Sequence, residues 1–485
     1  MQAIRWSIAA LAVSLCLSSA ALAADSPPNV LFIPIDDLND WVGHMGGNPQ
    51  TQTPHLDALA KRGVSFLNAH CAAPACNPSR AALMSGLRPS TTGIYHNTHE
   101  WEATLPVGKT MSEQLRAQGY EALAGGKIYH GSGSAQTVER YWDDYYRRSE
   151  LPAPKPSLNG LEQDHFDWGP IDVTEEEMPD YKLVTWAIEE MNKPREKPLF
   201  LAVGFVKPHL PWYAPKKYFD KFPLDQIQLP QAPADDLSDI PPIGLKMARP
   251  DGDHAKVTKA GIWREGVQAY LATISFVDDQ IGRLIEGLDK SPIANNTIIV
   301  LWGDHGWHLG EKQHWRKFTL WEEATRAPLI VVAPGVGKPS LCERPVDFLC
   351  IYPTVFDLVG LPVPAHVQGT SLRPLIADPS AQWDYLALTT HGRGEHGVRN
   401  DRWRYIRYHD GTEELYDHQQ DPMEWKNLAS QSGHDELKQK LSTAMPQTES
   451  PDAPLAAGEG KAKNKSAKAK GGGKGKGKKA AAAAE

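Results

Sequence analysis

The chain has 485 residues, of which 41% are hydrophobic and 23% charged, and its formal net charge is −8. This length allows one large or two ordinary domains, and the composition is that of a globular protein. After the N-terminal region no apolar run is long enough to span a bilayer, which excludes a multi-spanning membrane protein.

The first 23 residues have the pattern of a secretory signal peptide. Arg5 supplies a positive charge, residues 8–17 form a short apolar stretch, and Ala21-Leu22-Ala23 has the small-x-small pattern that precedes cleavage. A retained membrane anchor is the alternative interpretation. We therefore expect an exported protein, periplasmic or secreted, with no transmembrane segment in the mature chain.

Three apolar runs predict strands that are buried on both faces. They are residues 29–35, 199–205 and 297–302, and none shows the polar alternation of a half-exposed strand. Helical patterns cover residues 181–191 and 270–288. Alternating strands and helices favour an α/β sandwich around a mostly parallel sheet.

Charged side chains and histidines follow all three runs, with Lys207 and His209 after the run at 199–205. Asp36 and Asp37 come directly after the first run, and Asp304 and His305 follow the run at 297–302. Ligands of such sheets gather at the carboxyl ends of the strands. Adjacent carboxylates repel each other, so a hard divalent cation would satisfy them, although a turn or helix cap would explain the first pair alone. Pro34 cannot donate to a strand ladder, which is consistent with a bulge beside this site.

Cys76 lies just before a predicted helix that starts near Pro78 and ends at Gly86. The free N–H groups and the dipole of a helix start favour an anion there and would lower the pKa of a thiol. A buried structural cysteine remains the alternative. Cys71 does not lie at a helix start and is interpreted as structural. A zinc site formed with its neighbour His70 is not supported, because the chain has no second Cys or His pair at a spacing typical of such sites.

The cysteines do not form a disulfide scaffold. Removal of the signal peptide with Cys16 leaves four, at positions 71, 76, 342 and 350. Cys342 and Cys350 are close enough in sequence to pair, but spacing alone does not define the geometry of a disulfide, so that bond stays open.

The C-terminal part differs in character. Shorter segments follow residue 364, and residues 402–408 alternate as a half-exposed antiparallel strand does, which predicts a small α+β subdomain over residues 365–450. Residues 451–485 are predicted to be a disordered tail. Nine lysines and one glutamate after residue 460 give the tail +8 and leave −16 on the rest. Such a tail could tether a polyanion or be solvated without a partner.

The stretch Cys76-Asn77-Pro78-Ser79-Arg80 resembles the C-x-P-S-R signature of the type I, formylglycine-dependent sulfatases, with Asn77 at the variable position. Further segments, before and after this stretch, are similar to the family and occur in its order along the chain: residues 35–38, 53–60, 126–127 with His130, 303–306, 369–375 and 415–422. Residues 204–211 and 304–311 are similar to the iduronate-2-sulfatase branch. The resemblance covers residues 29 to about 429 and implies an alkaline-phosphatase-like α/β/α sandwich over 24–364, followed by a small subdomain with an antiparallel sheet.

The resemblance implies that a separate maturation enzyme converts Cys76 to formylglycine. The hydrated aldehyde carries two hydroxyls, of which one attacks sulfur and the other, once deprotonated, expels sulfate. One calcium ion would be held by five ligands, with the hard oxygen donors favouring calcium. These ligands would be Asp36, Asp37, the modified Cys76, Asp304 and His305.

The resemblance also implies roles for five other side chains. Arg80 would hold the hydrated aldehyde, Lys127 would bridge it and the sulfate, and His130 would be the base that releases sulfate. His209 and Lys317 would bind sulfate oxygens, and one of them would protonate the leaving alcohol.

The expected substrate is a sulfated carbohydrate, with a 2-O-sulfated uronate favoured by the branch resemblance. Trp101, Trp212, Tyr213 and His308 are candidates for contacts with a sugar ring, whereas His391 and His396 are expected in a solvated Gly-rich loop. One alternative is a phosphate or phosphonate monoester hydrolase of the same superfold. Another is a non-catalytic polyanion-binding protein, should Cys76 not be matured.

Overall fold

The computed structural model describes residues 27–131, 135–151, 153–163 and 165–457. The predicted signal peptide and residues 458–485 of the predicted tail lie outside these ranges. Within them, no helix has the length and apolar character that crossing a membrane requires.

The strands account for the apolar runs of the sequence and for many short pairings. In chain order they are β1 (Asn29–Ile35), β2 (Val64–Phe66), β3 (Ala69–His70), β4 (Glu121–Gly126), β5 (Asp144–Tyr146), β6 (Trp168–Ile171), β7 (Leu199–Gly204), β8 (Trp212–Pro215), β9 (Thr297–Gly303), β10 (His308–Leu309), β11 (Trp315–Arg316), β12 (Leu329–Val332), β13 (Ser340–Cys342), β14 (Val346–Asp347), β15 (Ala387–Gly392), β16 (Glu395–Arg399), β17 (Trp403–Arg407) and β18 (Glu413–Asp417).

The helices lie mostly between strands, as the alternating pattern predicts. They are α1 (Pro54–Ala60), α2 (Cys76–Ser85), α3 (Pro89–Thr92), α4 (Met111–Ala117), α5 (Ala135–Tyr141), α6 (Pro179–Met191), α7 (Lys216–Asp220), α8 (Pro242–Ala248), α9 (Asp253–Ala260), α10 (Trp263–Asp289), α11 (Glu322–Thr325), α12 (Ile351–Leu358), α13 (Arg373–Ala377) and α14 (Asp435–Ser442). The helix predicted over 270–288 is therefore the C-terminal part of the longer α10.

Eight strands form one mixed, mostly parallel sheet in the order β13-β2-β12-β9-β1-β7-β4-β5. β1 lies between β9 and β7 and is parallel to both, while β12 is antiparallel to its neighbours β9 and β2. The three predicted apolar strands are thus adjacent at the centre of the sheet. Their carboxyl ends meet at one edge, where the charged residues follow.

Helices cover both faces of this sheet. Successive side chains of β1 point to opposite faces: Leu31 and Ile33 pack into the core that includes α6 and α10, whereas Val30 and Phe32 pack into the core that includes α2 and α12. Burial on both faces explains why these strands lack polar alternation. The α/β/α sandwich predicted from the sequence is confirmed.

Pro34 does not produce the bulge that its missing donor suggests. It pairs in regular register opposite Trp302, and the residues on both sides keep the same register with β9. The Pro34 carbonyl accepts a hydrogen bond of 2.9 Å from the Phe205 amide. The strand therefore continues to the site without a break.

The C-terminal subdomain contains a four-stranded antiparallel sheet, β15-β16-β17-β18, as predicted. Its own apolar core combines side chains of the strands with Leu441 and Met445, at and after the end of α14. The expectation of a solvated loop at residues 391–396 is wrong. His391 lies near the end of β15, and His396 is fully buried in β16. Strand pairing continues from both sides to a tight turn at 393–394.

Residues 451–457, which the composition assigns to the tail, are attached to the large domain. The Ala453 amide donates to the Gly93 carbonyl, the Glu100 amide to Pro454, and the Ala456 amide to Thr98. These contacts are backbone hydrogen bonds, which explains why composition does not reveal them. The described chain therefore ends in a strap that lies against residues 90–100.

All four described cysteines are free and buried. The disulfide between Cys342 and Cys350 that the sequence left open is therefore excluded. Cys71 is packed in the same core as β1, and burial raises the pKa of its thiol well above the usual value. Its interpretation as an unreactive structural residue is consistent with this environment.

Candidate active site

The central parallel strands bring the predicted acidic residues together. Asp36 and Asp37 follow β1, and Asp304 and His305 follow its neighbour β9, so that all four are fully buried side by side. The Asp304 amide donates to the Ile35 carbonyl at 3.1 Å, and the Asp37 amide donates to the Asp304 carboxylate at 2.9 Å. The strand pairing itself therefore fixes the distance between the two acidic segments.

Cys76 is the first residue of α2, not a residue before it, and Gly86 ends the helix with a φ of 69° as predicted. Its Sγ lies 3.2 Å from Lys317 Nζ, 3.4 Å from His305 Nε2 and 3.9 Å from Asp37 Oδ1. The residue at the start of the helix thus faces both the acidic segments and a lysine from the opposite side of the site.

Arg80 lies one helical turn after Cys76 and connects three strand ends. Its Nε donates to Asp304 at 2.8 Å, one terminal nitrogen donates to Asp36 at 3.2 Å, and the other donates to the Lys127 carbonyl at 2.5 Å. The planar guanidinium can make these bonds at once, which a single ammonium group cannot.

Two lysines neutralise the first acidic pair. Lys127 follows β4, and its Nζ is 2.5 Å from Asp36 Oδ2, whereas Lys317 follows β11, and its Nζ is 2.7 Å from Asp37 Oδ1. Lys317 is almost completely buried. Each lysine therefore brings a positive charge to a different carboxylate.

Two histidines complete the set predicted from the sequence. His209 Nε2 lies 3.8 Å from Asp37 Oδ2, and its Nδ1 is 2.5 Å from the Leu210 carbonyl. His130 has a buried Nδ1 without a hydrogen-bond partner in the described chain. Burial, reinforced by Lys127, lowers the pKa of His130 to about 3, so its imidazole is neutral. All ten predicted site residues lie in this one region.

Burial and neighbouring charges shift the pKa values of the acidic groups in the site. Burial, together with the neighbouring Asp36, raises the pKa of Asp37 to about 8 even though Lys317 opposes the shift. Burial also acts against ionisation of Asp36, but Lys127 and the other cations hold its pKa well below the usual value. Burial likewise opposes ionisation of Cys76, yet Lys127 and Lys317 lower the pKa of its thiol.

These residues fit a bound divalent cation. Two overlapping groups of possible ligands meet at Cys76: Asp36, Asp37 and His209 on one side, and Asp304 and His305 on the other. Asp37 Oδ2 is buried without a hydrogen-bond partner, which leaves a carboxylate oxygen available as a ligand. Several carboxylate oxygens are the donor set that hard divalent cations prefer.

Some residues that shape the site were not predicted. The Tyr270 hydroxyl donates to the Asp37 carbonyl at 2.7 Å and accepts from the Asn39 amide at 3.0 Å. Lys207 Nζ donates to the carbonyls of His209 and Pro211 and so closes the loop that carries His209. The sequence places Lys207 at the end of its strand but does not predict that it holds this loop, and nothing in the sequence relates Tyr270 on α10 to the end of β1.

Asn77 is not a free position in this chain. Its side chain is buried, and Nδ2 donates to the carbonyls of His96 at 3.1 Å and His99 at 2.8 Å. The variable residue of the signature therefore attaches the start of α2 to the loop at 96–99. The sequence pattern gives no sign of this contact, because the loop lies outside the signature and has no recognisable pattern of its own.

The four residues expected to contact a sugar ring are buried, and that expectation is wrong. Trp101 stacks on Tyr129 at 4.2 Å between ring centroids, and Trp212 belongs to the apolar core. The Tyr213 hydroxyl donates to Asp167, and His308 Nε2 pairs with Thr319. Large aromatic side chains fill the interior around the site, where they support the loops and do not face the substrate.

Residues 28–361 match the Sulfatase family, and residues 310–450 match the C-terminal region of N-sulphoglucosamine sulphohydrolase. The chain belongs to the sulfatase family. Sulfatases of this family generally use a formylglycine and a divalent metal ion, and the ligand groups around Cys76 agree with this general pattern.

Three relatives are similar to this sulfatase over most of its length. It is 40% identical over 442 residues to a sulfatase of Formosa agariphila, covering 87% of each chain. It is 30% identical to a delta 4,5-hexuronate-2-O-sulfatase of Bacteroides thetaiotaomicron, over 86% of this chain and 88% of the relative. Identity to the iduronate 2-sulfatase of Mus musculus is also 30%, over 73% and 74%.

A solved structure shows the same fold at lower identity. The phosphonate monoester hydrolase of Agrobacterium radiobacter superposes with a TM-score of 0.72 at 21% identity, over 86% of this sulfatase and 94% of that chain. At this identity the likeness concerns the fold alone.

Proposed function

We propose that this sulfatase is exported and hydrolyses the 2-O-sulfate ester of a uronate residue in a sulfated carbohydrate, using one Ca²⁺ ion and a formylglycine formed from Cys76. The observation that carries the proposal is the environment of Cys76. Its Sγ lies at a helix start, within 3.4 Å of both Lys317 Nζ and His305 Nε2. Two relatives at 30% identity, a hexuronate-2-O-sulfatase and an iduronate 2-sulfatase, support the choice of substrate.

The residues that would hold the ion are Asp36, Asp37, Asp304 and His305, with the modified residue 76. The ion supplies positive charge that stabilises the charge developing on sulfate oxygens. Within this arrangement Arg80 keeps the Asp36 and Asp304 carboxylates oriented, since it donates to both. The formylglycine hydrate supplies the oxygen nucleophile at position 76.

The remaining side chains act on the sulfate and on protons. Lys127 and Lys317 are cations that can bind sulfate oxygens on either side of residue 76. His209 or Lys317 would protonate the leaving alcohol, and the neutral His130 can accept a proton at its unpartnered Nδ1. Burial of these groups strengthens each interaction, because the local dielectric is low.

Two measurements test this function. Peptide mass spectrometry of the Cys76 segment, from protein made in its native host, is expected to find formylglycine, and an unmodified thiol would contradict the proposal and favour a non-catalytic polyanion-binding role. A panel of sulfated disaccharides is expected to show release of sulfate from uronate O2. Release without any preference for that position would overturn the substrate while leaving the reaction class.

A phosphate or phosphonate monoester hydrolase is the second candidate, supported by the likeness in fold to such an enzyme. Sulfate and phosphate esters have the same tetrahedral shape, so fold does not separate them. Turnover of an aryl sulfate and of the matching aryl phosphate by matured protein distinguishes the two. We expect the sulfate ester to be hydrolysed with the higher kcat/KM.

A further inference from the structure

A cavity of about 780 Å³ lies beside the start of α2 and has no role in the reaction described above. Its walls come from four separate parts of the chain: His96, the turn at 391–395, His409 and residues 447–452, where the chain enters the strap. This volume is within the range of cavities that bind small ligands. None of the ten site residues lines it.

The cavity is attached directly to the segment that carries Cys76. On one side, Asn77 donates to the carbonyls of His96 and His99. On the other side, the Thr390 amide donates to the Ala72 carbonyl at 2.9 Å, so the end of β15 is held against the loop that leads to α2. These bonds bring residues of the cavity wall close to the segment that carries Cys76.

The charge of the cavity is opposite to that expected for a second sulfate site. Its lining contains three carboxylates, Glu395, Glu449 and Asp452, and among the described lining residues only Arg393 carries a permanent positive charge. The sulfate-binding side of the site, in contrast, presents Lys127 and Lys317. An anionic group would be attracted to the lysines and repelled from the cavity.

The carboxylates are held in place and still have acceptor capacity. Glu395 lies between His391 Nδ1 at 2.7 Å and His409 Nδ1 at 2.8 Å. Glu449 accepts a bond of 2.9 Å from the Gly394 amide and lies 3.1 Å from His396 Nε2. A carboxylate has about four acceptor positions, so each can also accept from a ligand hydroxyl.

We propose that this cavity is a subsite for an uncharged, hydroxyl-bearing sugar unit linked to the sulfated residue, which it binds through Glu395 and Glu449. The proposal rests on the proposed function, because it assumes a carbohydrate sulfate ester at Cys76. Fixed carboxylates accept hydrogen bonds from sugar hydroxyls, whereas a sulfate or carboxylate on the same unit would meet like charge. The enzyme then prefers oligosaccharides in which the neighbouring unit carries no sulfate.

Binding can be measured without turnover by titration calorimetry on the full-length Cys76→Ala chain. The probes are two disaccharides with the same 2-O-sulfated uronate, linked either to unsulfated N-acetylhexosamine or to its 6-O-sulfated form. We expect the unsulfated form to bind at least about 10-fold more tightly, which corresponds to ~1.4 kcal/mol. Equal binding, tighter binding of the 6-O-sulfated form, or no binding of either disaccharide would overturn the subsite.

The carboxylates are tested by Glu395→Gln and Glu449→Gln in the same background. Each variant keeps the shape of the side chain and removes one negative charge, so we expect the preference for the unsulfated disaccharide to shrink several-fold. Glu436→Gln, on the exposed face of α14, is the matched control and should keep the full preference. Variants with the full preference would exclude these carboxylates from recognition.

Failure of the subsite is distinguishable from failure of the proposed function. Matured wild-type protein that hydrolyses an aryl sulfate but binds both disaccharides equally retains the sulfatase activity and lacks the subsite. Matured protein that hydrolyses neither the aryl sulfate nor either disaccharide contradicts the function itself.

Discussion

Arg80 and Asp304 form an ion pair in the interior of the protein: Arg80 Nε donates to Asp304 Oδ2 at 2.8 Å, and both side chains are fully buried. The pair connects α2 to the end of β9, and Arg80 extends the connection to Asp36. The side chain that follows the signature cysteine by one helical turn therefore holds the acidic segments in place.

Replacing Arg80 by leucine is expected to destabilise the fold. The change leaves the buried Asp304 carboxylate without its arginine and Asp36 with Lys127 alone, and breaking a buried pair costs about 3–5 kcal/mol in the free energy of unfolding. Urea unfolding measures the difference. Arg344→Leu, which removes the exposed partner of Asp401, is the control and should change stability by only about 0–1 kcal/mol. Equal effects of the two variants would contradict a structural role for Arg80.

Removal of the proposed Ca²⁺ ion is expected to abolish activity. Asp36, Asp37 and Asp304 lie together in the interior, where their oxygens would hold a bound cation that relieves the repulsion between them. Treatment with a calcium chelator should therefore lower both aryl sulfate turnover and the melting temperature, and added Ca²⁺ should restore them. Full turnover by protein that elemental analysis finds free of metal would disprove the requirement.

Replacing Lys317 by methionine is expected to lower kcat/KM; because it also removes the partner of the buried Asp37, turnover is compared per folded protein. Lys317 Nζ is 3.2 Å from Cys76 Sγ, so its charge lies where sulfate oxygens would bind, and loss of such a group typically costs about 10²-fold or more. Turnover is normalised to the fraction of residue 76 that is converted to formylglycine. Lys290→Met, at an exposed pair with Glu286, is the control. A Lys317 variant with normal turnover would exclude it from catalysis.

A buried charge cluster connects Glu322 of α11 to the C-terminal subdomain and predicts an effect of pH on stability. Burial opposes ionisation of Glu322, but His418, Arg399 and Arg404 hold its pKa well below the usual value. A carboxyl with a lower pKa in the folded state contributes stability that is complete above its unfolded pKa and is lost as the pH falls through its folded pKa.

The corresponding test compares wild type with Glu322→Gln by urea unfolding between about pH 7 and pH 3. The variant lacks the titrating group and is expected to be less stable at neutral pH but to lose less stability on acidification. Glu436→Gln is the exposed control. Parallel pH profiles for wild type and Glu322→Gln would show that this carboxyl does not contribute to acid sensitivity.

Truncation after Ala457 tests the basic tail. All nine lysines of the tail lie beyond this residue, and the strap that ends there keeps its hydrogen bonds to residues 93–100. If the tail binds polyanions, the truncated protein should elute from a sulfated polysaccharide column at lower salt, while turnover of a small aryl sulfate stays unchanged. Elution at the same salt concentration would indicate a tail without this partner.

Local sequence patterns predict the centre of the fold and the candidate catalytic residues. Each acidic segment directly follows an apolar strand, and parallel strands end at the same edge, so Asp36 and Asp304 can be placed together without coordinates. Cys76 is identified from its signature and its helix start. Lys127 and Lys317 follow short strands and are recognisable only through the family resemblance.

Long-range packing decided what the sequence alone did not reveal. Tyr270 contacts the carbonyl of Asp37 from a helix more than 200 residues later, and the candidate ring contacts such as Trp212 belong to the core. An aromatic residue in a loop has the same local pattern whether it faces inward or toward a ligand, and only the surrounding elements determine which.

The sequence by itself therefore determined the sulfatase family and the residues that surround Cys76, because these depend on short motifs at strand and helix ends. The tertiary structure alone decided the shape and charge of the space beside them. The cavity near Asn77 combines His96 with His391 and Glu449, which follow it by about 300 residues or more and are brought to it by the pairing of β15 with β16 and by the segment that leads into the C-terminal strap. Backbone hydrogen bonds hold that strap, and they leave no pattern in side-chain chemistry.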